Sequence, residues 1–396
     1  MTIPVVVAGV GMVPFATPRL SRDYVALAAD AVRSALADAG VGYEAVQHAY
    51  AGYVYGDSTS GQNALYEVGM SGIPVVNVNN NCSTGSSALY LARQAVASGA
   101  ADCVLAVGFE QMQRGALVEH WDDRPSPFAR FDDVVTRAHG QAEGVPMAAR
   151  YFGGAGTAYC DRYGVSPELF AKVSVKSRAH AAGNPYAVFR DPLTLDEVLA
   201  SPRIFGPLTR LQCCPPTCGA AAVVVTSAEF ARAKDLRRDV VIAAQSMTTD
   251  RPTSFDGDLM RLVGYDMTAS AARQVYETAG VDPLDIPVVE LHDCFTTNEV
   301  ISYEALGLTP EGTAEKLIAD GDNTYGGRVV TNPSGGLLSK GHPLGATGLA
   351  QCAELVWQLR GEAEARQVPE PKVALQHNIG LGGAAVVTLY EKVARG

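Results

Sequence analysis

The chain has 396 residues, of which 47% are hydrophobic and 18% charged, which is enough for several packed layers and more than one domain. Its formal net charge of -11 excludes the concentrated basic face that nucleic-acid binding needs, so no nucleic-acid partner is expected. No apolar run reaches the roughly 18 residues of a membrane span, and MTIPVVVAGVGMVPF lacks the basic start of a signal peptide. Eight cysteines without a secretory signal predict reduced thiols and a cytoplasmic protein.

Buried strands and helical patterns alternate from the first residues. Ile3–Val10 is a predicted strand, and the helix predicted at Arg22–Ala39 follows it. Further strands are predicted at Ala49–Val54, Val75–Val78, Cys103–Gly108, Gly219–Ser227, VVIAAQS, PVVELHD, KVALQHN and AAVVTLY. This alternation indicates βαβ units and a layered α/β fold.

The composition changes between about Arg114 and Pro215, where Arg, Asp, Pro and Tyr become frequent. This stretch is interpreted as an inserted, partly helical lobe rather than a continuation of the sheet. The sequence thus predicts a first half from residues 1–115 and 216–235, an inserted loop domain from residues 116–215, and a second half from residues 236–396.

A weak internal repeat relates the two halves. At an offset of 260, NCSTGSSALYLARQAV aligns with GHPLGATGLAQCAELV, so that Gly85 matches Gly345 and Cys82 matches His342. Each copy opens a predicted helix. A pseudo-twofold axis would therefore bring the two helix N-termini, and with them Cys82 and His342, toward a common centre.

Cys82 lies at a strand-to-helix turn in NVNNNCSTGSS, a place where function concentrates in α/β sheets. The positive end of a helix dipole would favour the thiolate and make Cys82 a nucleophile for a thioester. A buried small cysteine at a helix cap is the alternative.

The segment GGLLSKGHPLGATG contains His342 between glycines that permit a tight backbone. A histidine in such a turn can take a proton from a thiol or donate a hydrogen bond to an acyl oxygen. A histidine in a surface loop is the alternative, and no phosphate-binding GxxxxGK[ST] pattern is present.

A third cluster, VVELHDCFTTNE, ends a predicted strand in His292, Asp293 and Cys294. Cys294 could act as a general acid and base toward a substrate α-carbon, and His292 could orient water or an oxyanion. Asp293 is expected to cap the helix that begins near Phe295. A purely structural role for all three residues is the alternative.

A fourth cluster, ALQHNIGLGGAAVVTLY, joins two strands by a glycine-dense turn that exposes backbone N–H groups, as an oxyanion hole requires. Gly380 is the expected donor, with His377 and Asn378 beside it. Elsewhere, LQCCPPTCGA contains Cys213, Cys214 and Cys218, whose spacing matches no common zinc framework, so no metal is predicted.

Together these clusters resemble the thiolase superfamily, and specifically the sterol-carrier-protein-2 type thiolases. The resemblance spans residues 3–392, and its most specific stretches are NVNNNCSTGS, ELHDCF, DNTYGGRVVTNPSGGLLSKGHPLGATGLAQCAELVWQLRGEA and ALQHNIGLGGAAVVTLY. It covers the thiolase domain without the fused lipid-carrier domain of some relatives. It implies the thiolase fold, with duplicated βαβαβαββ halves in a five-layered αβαβα arrangement and an inserted loop domain.

The resemblance also implies 3-oxoacyl-CoA thiolase activity, an acetyl-CoA or propionyl-CoA C-acyltransferase reaction with coenzyme A as co-substrate and no tightly bound cofactor. By similarity, Cys82 accepts the acyl group, His342 activates it, and the N–H groups of Cys82 and Gly380 form an oxyanion hole. His292 takes the place that Asn holds in the NEAF motif of other thiolases. Most thiolases carry the acid/base cysteine in a CxG motif near the C-terminus, whereas this sequence has HNIG there, so Cys294 would do that work.

The family assembles as dimers or tetramers, and a homodimer is the expectation here. One alternative is a thiolase-like retro-aldolase acting on a steroid side-chain CoA thioester, a class that often needs a small OB-fold partner protein. Retention of both Cys82 and Cys294 argues against it. A second alternative is a non-catalytic CoA- or lipid-binding partner, in which at least one of the four clusters would have decayed.

Overall fold

The computed structural model describes residues 3–113 and 121–394. The strands in these residues are β1 (Val5–Met12), β2 (His48–Gly52), β3 (Val75–Val78), β4 (Cys103–Glu110), β5 (Arg203–Phe205), β6 (Leu208–Thr209), β7 (Gly219–Ser227), β8 (Val240–Thr248), β9 (Val288–Glu290), β10 (Val330–Thr331), β11 (Val373–Gly380) and β12 (Ala384–Lys392). The α-helices are α1 (Tyr24–Ala39), α2 (Ser60–Tyr66), α3 (Thr84–Ala97), α4 (Ala129–His139), α5 (Met147–Tyr163), α6 (Glu168–Ala181), α7 (Leu195–Ala200), α8 (Ala228–Ala233), α9 (Leu259–Leu262), α10 (Tyr265–Ala279), α11 (Thr296–Ala305), α12 (Ala314–Ala319), α13 (Gly336–Ser339) and α14 (Thr347–Arg360).

The main sheet consists of two halves with the same strand order. The first half runs β1-β7-β4-β2-β3, and the second runs β8-β12-β11-β9-β10. They join where Val6 of β1 pairs with Val241 of β8. In each half the first pairings are antiparallel and the last two are parallel. The duplicated α/β fold predicted from the sequence is confirmed.

Five layers follow from this arrangement. Helix α1 packs on the outer face of the first half, and α10 packs on the outer face of the second half. Helices α3 and α14 pack against each other between the two half-sheets and are buried along most of their length. Each half therefore contributes one central helix, and the central layer is where the two halves meet.

Helix α1 shows how the sequence sets a layer. Asp23 accepts a hydrogen bond from the Ala26 N–H at the helix start, and Gly40 ends the helix in the left-handed conformation. Gly9 in the facing strand leaves room for the helix, because a Cβ there would lie 2.3 Å from the Ala35 carbonyl oxygen. The helix backbone thus rests directly on β1.

The two central helices meet at their N-terminal ends through glycines. A Cβ on Gly85 would lie 2.7 Å from the Gly345 carbonyl oxygen, and a Cβ on Gly108 would lie 2.0 Å from the same atom. Any side chain at these positions would push the loop before α14 away from the end of β4. This close approach places the segment after β3 beside the loop that carries His342.

The lobe predicted between the two parts of the first half contains α4–α7 and the β5-β6 hairpin. Its core is shared with the second half, since Tyr151, Phe152 and Phe170 belong to the same buried cluster as Cys294 and Phe295. The predicted boundary between residues 115 and 116 lies outside the described residues. None of the helices in residues 3–113 and 121–394 is both long and apolar enough to cross a bilayer.

We predict that Gly345→Ala destabilises the protein by about 1–3 kcal/mol, the usual range for forcing atoms into a packed site. The added Cβ would lie 2.4 Å from the Phe109 oxygen and 2.6 Å from the Gly52 oxygen. Gly40→Ala is the control, because its Cβ would meet nothing within 4 Å and only the left-handed backbone is penalised. Urea unfolding measures both variants, and a Gly345→Ala protein as stable as the parent would contradict the close-approach argument.

Candidate active site

Cys82 is held by a tight turn between β3 and α3. Asn81 adopts a positive φ of 50°, and the Thr84 hydroxyl donates to the Asn81 carbonyl at 2.6 Å while accepting from the Asn80 N–H at 2.9 Å. The Cys82 thiol lies 3.7 Å from the Asn81 side-chain oxygen. The side chain is half-buried and lies immediately before the first turn of α3.

Burial, rather than the helix dipole, dominates the ionisation of this thiol. Desolvation, and to a smaller extent the neighbouring Glu110 carboxyl, raise the pKa of Cys82 to about 12. The backbone N–H of Cys82 lowers the pKa of the thiol, as expected at a helix start, but by less than burial raises it. The thiol stays protonated at neutral pH, and nucleophilic attack requires a base to take its proton.

His342 is oriented so that one ring nitrogen remains available as that base. The Thr347 hydroxyl donates its single proton to the Pro343 carbonyl, so it must accept from His342 Nδ1, which lies 2.7 Å away. The lone pair is then on Nε2, which is buried and has no hydrogen-bond partner. Burial and the Lys340 charge lower the pKa of His342 to about 3, so the ring is neutral.

His292 has the opposite arrangement. The Asn378 amide nitrogen donates to His292 Nδ1 at 2.8 Å, and the Asn378 oxygen accepts from the Ser86 hydroxyl at 2.9 Å. With Nδ1 as the acceptor, the proton of the neutral ring is on Nε2, which becomes a hydrogen-bond donor. Burial, followed by the nearby rings of His342 and His377, lowers the pKa of His292 well below its usual value.

Cys294 lies in the buried loop between β9 and α11, 4% exposed. Burial raises its pKa well above the ordinary thiol value, and the thiols of Cys214 and Cys82 raise it further. Its carbonyl accepts a 2.9 Å hydrogen bond from the Cys214 N–H. Three thiols from distant parts of the sequence thus lie near one another.

The capping role expected for Asp293 is wrong. Helix α11 begins after Phe295 without a side-chain cap. The Asp293 carboxyl instead accepts from the Leu337 N–H at 2.7 Å, with the Leu338 N–H at 3.4 Å, at the start of α13. It therefore fastens the glycine-rich segment before His342 to the loop that contains His292 and Cys294.

The predicted residues converge from three segments. The Cys82 sulfur and one ring nitrogen each of His292 and His342 all lie within 4.8 Å of one another. The two imidazole rings are 5.2 Å apart at their centroids and nearly perpendicular, at 85°. A nucleophile, a base and a hydrogen-bond donor therefore face a common point, with a second thiol nearby.

Gly380 and His377 are placed differently from each other. Gly380, the last residue of β11, approaches the Cys82 turn closely, since a Cβ on it would lie 2.0 Å from the Asn80 oxygen. His377 lies on the opposite face of β11, where its Nε2 bonds the Thr268 hydroxyl of α10 at 3.0 Å. The structure thus brings Gly380 and Asn378 to the centre, whereas the His377 side chain packs behind the strand.

Sequence reasoning missed two neighbours of the centre. The sequence suggests only a metal-ligand role for Cys214, whereas the structure places its thiol near that of Cys294. The other two cysteines of that segment, Cys213 and Cys218, donate hydrogen bonds to the Thr209 and Met112 carbonyls. The fully buried Glu110 carboxyl accepts from the N–H groups of Val54, Tyr55 and Gly345. The sequence signal for Glu110 is an acidic residue at the end of an apolar strand, VLAVGFE, which indicates a buried carboxyl with specific hydrogen-bond donors.

The two duplicated halves and this cysteine–histidine centre define a particular class of α/β protein. Residues 5–229 match the thiolase N-terminal domain, and residues 257–391 match the thiolase C-terminal domain-like family. The chain belongs to the thiolase family.

Individual relatives agree with this assignment. The chain is 54% identical to sterol carrier protein 2 of Bos taurus, over 98% of this chain and 72% of that protein. Among solved structures, it resembles an Ltp2-ChsH2(DUF35) aldolase with a TM-score of 0.83 at 25% identity, covering 99% of this chain and 98% of that one. It also shares the fold of human mitochondrial 3-ketoacyl-CoA thiolase in complex with CoA, with a TM-score of 0.74, 19% identity and 99% and 98% coverage.

We predict that Glu110→Gln lowers the pKa of Cys82, because it removes a negative charge that disfavours the thiolate. The pKa of Glu110 itself is raised to about 7 by burial, so the effect applies above that pH, where the parent carboxyl is charged. Alkylation of Cys82 by iodoacetamide in alkaline buffer should become about 3- to 10-fold faster. The control is Glu44→Gln, which removes the same charge from an exposed side chain. An unchanged or slower rate in a variant with the parent's melting temperature would contradict the assignment.

Proposed function

We propose that the protein is a 3-oxoacyl-CoA thiolase that performs reversible Claisen cleavage and condensation through an acyl group on Cys82. The observation that carries this proposal is the convergence of the Cys82 thiol with the His342 and His292 rings, beside the Cys294 thiol. Family membership supports the acyltransferase chemistry.

The first half-reaction uses the opposed proton arrangements of the two histidines. His342 Nε2 accepts the Cys82 proton as the sulfur attacks the carbonyl carbon. A thiol with a pKa of about 12 and an imidazole with a pKa of about 3 do not exchange a proton at rest, so transfer accompanies the attack. The His292 Nε2–H is available to donate to the developing oxyanion, and the N–H groups of Cys82 and Gly380 would form a second oxyanion site.

The carbon–carbon step needs a second proton carrier. Cleavage leaves a carbanion α to the CoA thioester, and the Cys294 thiol would protonate it. The raised pKa keeps Cys294 protonated at neutral pH, as an acid in this step must be. Free CoA then takes the acyl group from Cys82.

The inserted lobe is the part of the chain best placed to shape the acyl pocket. The Phe152 ring on α5 stacks on Phe295, next to Cys294, with centroids 5.0 Å apart. The Phe152 carbonyl accepts from the Thr297 hydroxyl at 2.9 Å. We propose that residues 116–215 act as the loop domain of this fold and that α5 borders the acyl chain.

A retro-aldolase is the second candidate, favoured by the likeness to the Ltp2-ChsH2(DUF35) aldolase. The name of that aldolase includes a DUF35 component, and a small OB-fold partner would be the corresponding requirement here. Two thiols beside two histidines are more than an aldol cleavage needs, and this supports the thiolase proposal. Purified protein without a partner should therefore cleave 3-oxoacyl-CoA when CoA is supplied.

We predict that Cys82→Ala forms no acyl-enzyme, whereas Cys294→Ala still accepts acetyl from acetyl-CoA but loses acetoacetyl-CoA cleavage by about 100-fold or more. Intact-protein mass spectrometry follows the acetyl adduct, and CoA-dependent loss of acetoacetyl-CoA follows cleavage. Cys160→Ser, on the lobe helix α5, is the thiol control and should behave as the parent. An adduct on a cysteine other than Cys82 would disprove the assignment, and so would full cleavage by Cys294→Ala.

We further propose a homodimer that forms through the edge strand β3. This strand ends the sheet order, so its outer backbone groups have no sheet partner within residues 3–113 and 121–394, and Val76 is 46% exposed. The Cys82 turn follows β3 directly, so pairing of two copies would also order the catalytic turn.

We also propose a cytoplasmic location for the protein, supported by eight cysteines that form no disulfide.

We predict that Val76→Glu converts the dimer to monomer, since like charges would face each other across the twofold axis. Light scattering coupled to size-exclusion chromatography measures the mass. Leu20→Glu is the control, because Leu20 is 81% exposed and lies away from β3. The edge-strand proposal fails if the parent is a monomer or if Val76→Glu remains a dimer.

A further inference from the structure

Two neutral imidazoles and one thiol share a small volume in the catalytic centre. The donor atoms of Cys82, His292 and His342 lie within 4.8 Å of one another, although they come from three distant segments. Tetrahedral zinc has bonds of about 2.0–2.3 Å, so its ligand atoms are about 3.3–3.7 Å apart. Side-chain shifts of about 1 Å would therefore suffice to form a site with one sulfur and two nitrogens.

The His342 ring is an independent indication of a ligand. Its side chain is 4% exposed, and its Nε2 has no hydrogen-bond partner. The hydrogen bond between Nδ1 and Thr347 fixes the lone pair on Nε2, which is the tautomer that a metal ligand needs. A buried lone pair without a partner, directed at a thiol and a second imidazole, favours a soft cation.

We propose that Cys82, His292 and His342 form an inhibitory Zn²⁺ site, occupied in competition with the acyl group. The binding of the metal concerns the resting protein and is tested without substrate, whereas its inhibitory effect rests on the proposed acyl transfer to Cys82. Binding forms one Zn–S and two Zn–N bonds, with solvent or a neighbouring thiol as the fourth ligand. The Cys82 thiol loses its proton to buffer, no electron is transferred, and the metal occupies the point that the acyl carbonyl would take.

The surrounding charges are compatible with a cation. The Glu110 carboxyl faces Cys82 from the end of β4 and disfavours a bare thiolate there, a penalty that a bound cation would remove. The Lys340 ammonium near His342 is opposed by the Glu290 carboxylate, 3.4 Å away. Burial keeps both imidazoles neutral, so no proton has to be displaced from the nitrogen lone pair of His342.

The test is metal titration of the metal-free full chain without any CoA ester. We expect one Zn²⁺ per chain, and alkylation of Cys82 by iodoacetamide should slow by about tenfold or more once it is bound, with recovery on adding a chelator. Co²⁺ in place of Zn²⁺ should give a thiolate charge-transfer band and the intense visible bands of tetrahedral coordination. An octahedral cobalt spectrum without the charge-transfer band would overturn the proposal.

Variants identify the ligands. Cys82→Ser and His342→Ala should each lose the bound metal and the charge-transfer band, with folding checked by circular dichroism. Cys213→Ser is the matched control from the Cys213–Cys218 segment and should bind as the parent. Loss of zinc in Cys213→Ser, or its retention in Cys82→Ser, would place the metal elsewhere and refute the site.

Asn378 provides a second test, specific to His292. Coordination by His292 Nε2 would move the ring proton to Nδ1, where an acceptor rather than the Asn378 NH₂ is needed. Asn378→Asp supplies a carboxylate acceptor and should tighten Zn²⁺ binding by about 10- to 100-fold, as such outer partners do at zinc sites. Unchanged or weaker affinity would show that His292 is not a ligand.

Discussion

The cysteine–histidine centre depends on how closely the loop before α14 approaches the ends of β2 and β4. Gly345 lies where any side chain would strike the Phe109 and Gly52 carbonyls, and its N–H donates to the buried Glu110 carboxyl. The same carboxyl accepts from two N–H groups after β2. This contact constrains the separation between Cys82 and His342, because His342 lies three residues before Gly345 and Cys82 lies three residues before Gly85, where a Cβ would be 2.7 Å from the Gly345 oxygen.

Burial of this contact determines the resting protonation states. Desolvation raises the pKa of the Cys82 and Cys294 thiols and lowers the pKa of His342 and His292, so these four groups are uncharged at neutral pH. The chemistry then depends on hydrogen-bond partners that fix tautomers. Thr347 leaves a lone pair on His342, whereas Asn378 leaves a proton on His292, and the two rings have complementary roles.

The same complementarity connects catalysis with metal binding. The His342 Nε2 atom at this centre is buried and has no hydrogen-bond partner at rest. A carbonyl substrate and a divalent cation would compete for this centre, and the tautomer of His292 separates them. In the proposed reaction the His292 Nε2–H would donate to an oxyanion, and in the proposed zinc site the same proton would have to leave Nε2, so the Asn378 amide would favour acyl chemistry over zinc.

The sequence by itself determined the fold class, the duplicated halves and the segments that carry Cys82, His292, Cys294 and His342. These features are local, because alternating apolar runs, glycine-rich turns and long specific motifs can be recognised in the linear sequence. Two strands, Val75–Val78 and Gly219–Ser227, were predicted with their observed bounds. Only the tertiary structure decided the protonation of Cys82, the partner of Asp293, the orientation of His377 and the proximity of Cys214. Each of these four features depends on desolvation or on contacts between residues more than 40 positions apart. The spacing of residues along a short segment reveals neither the burial of a side chain nor its distant partners.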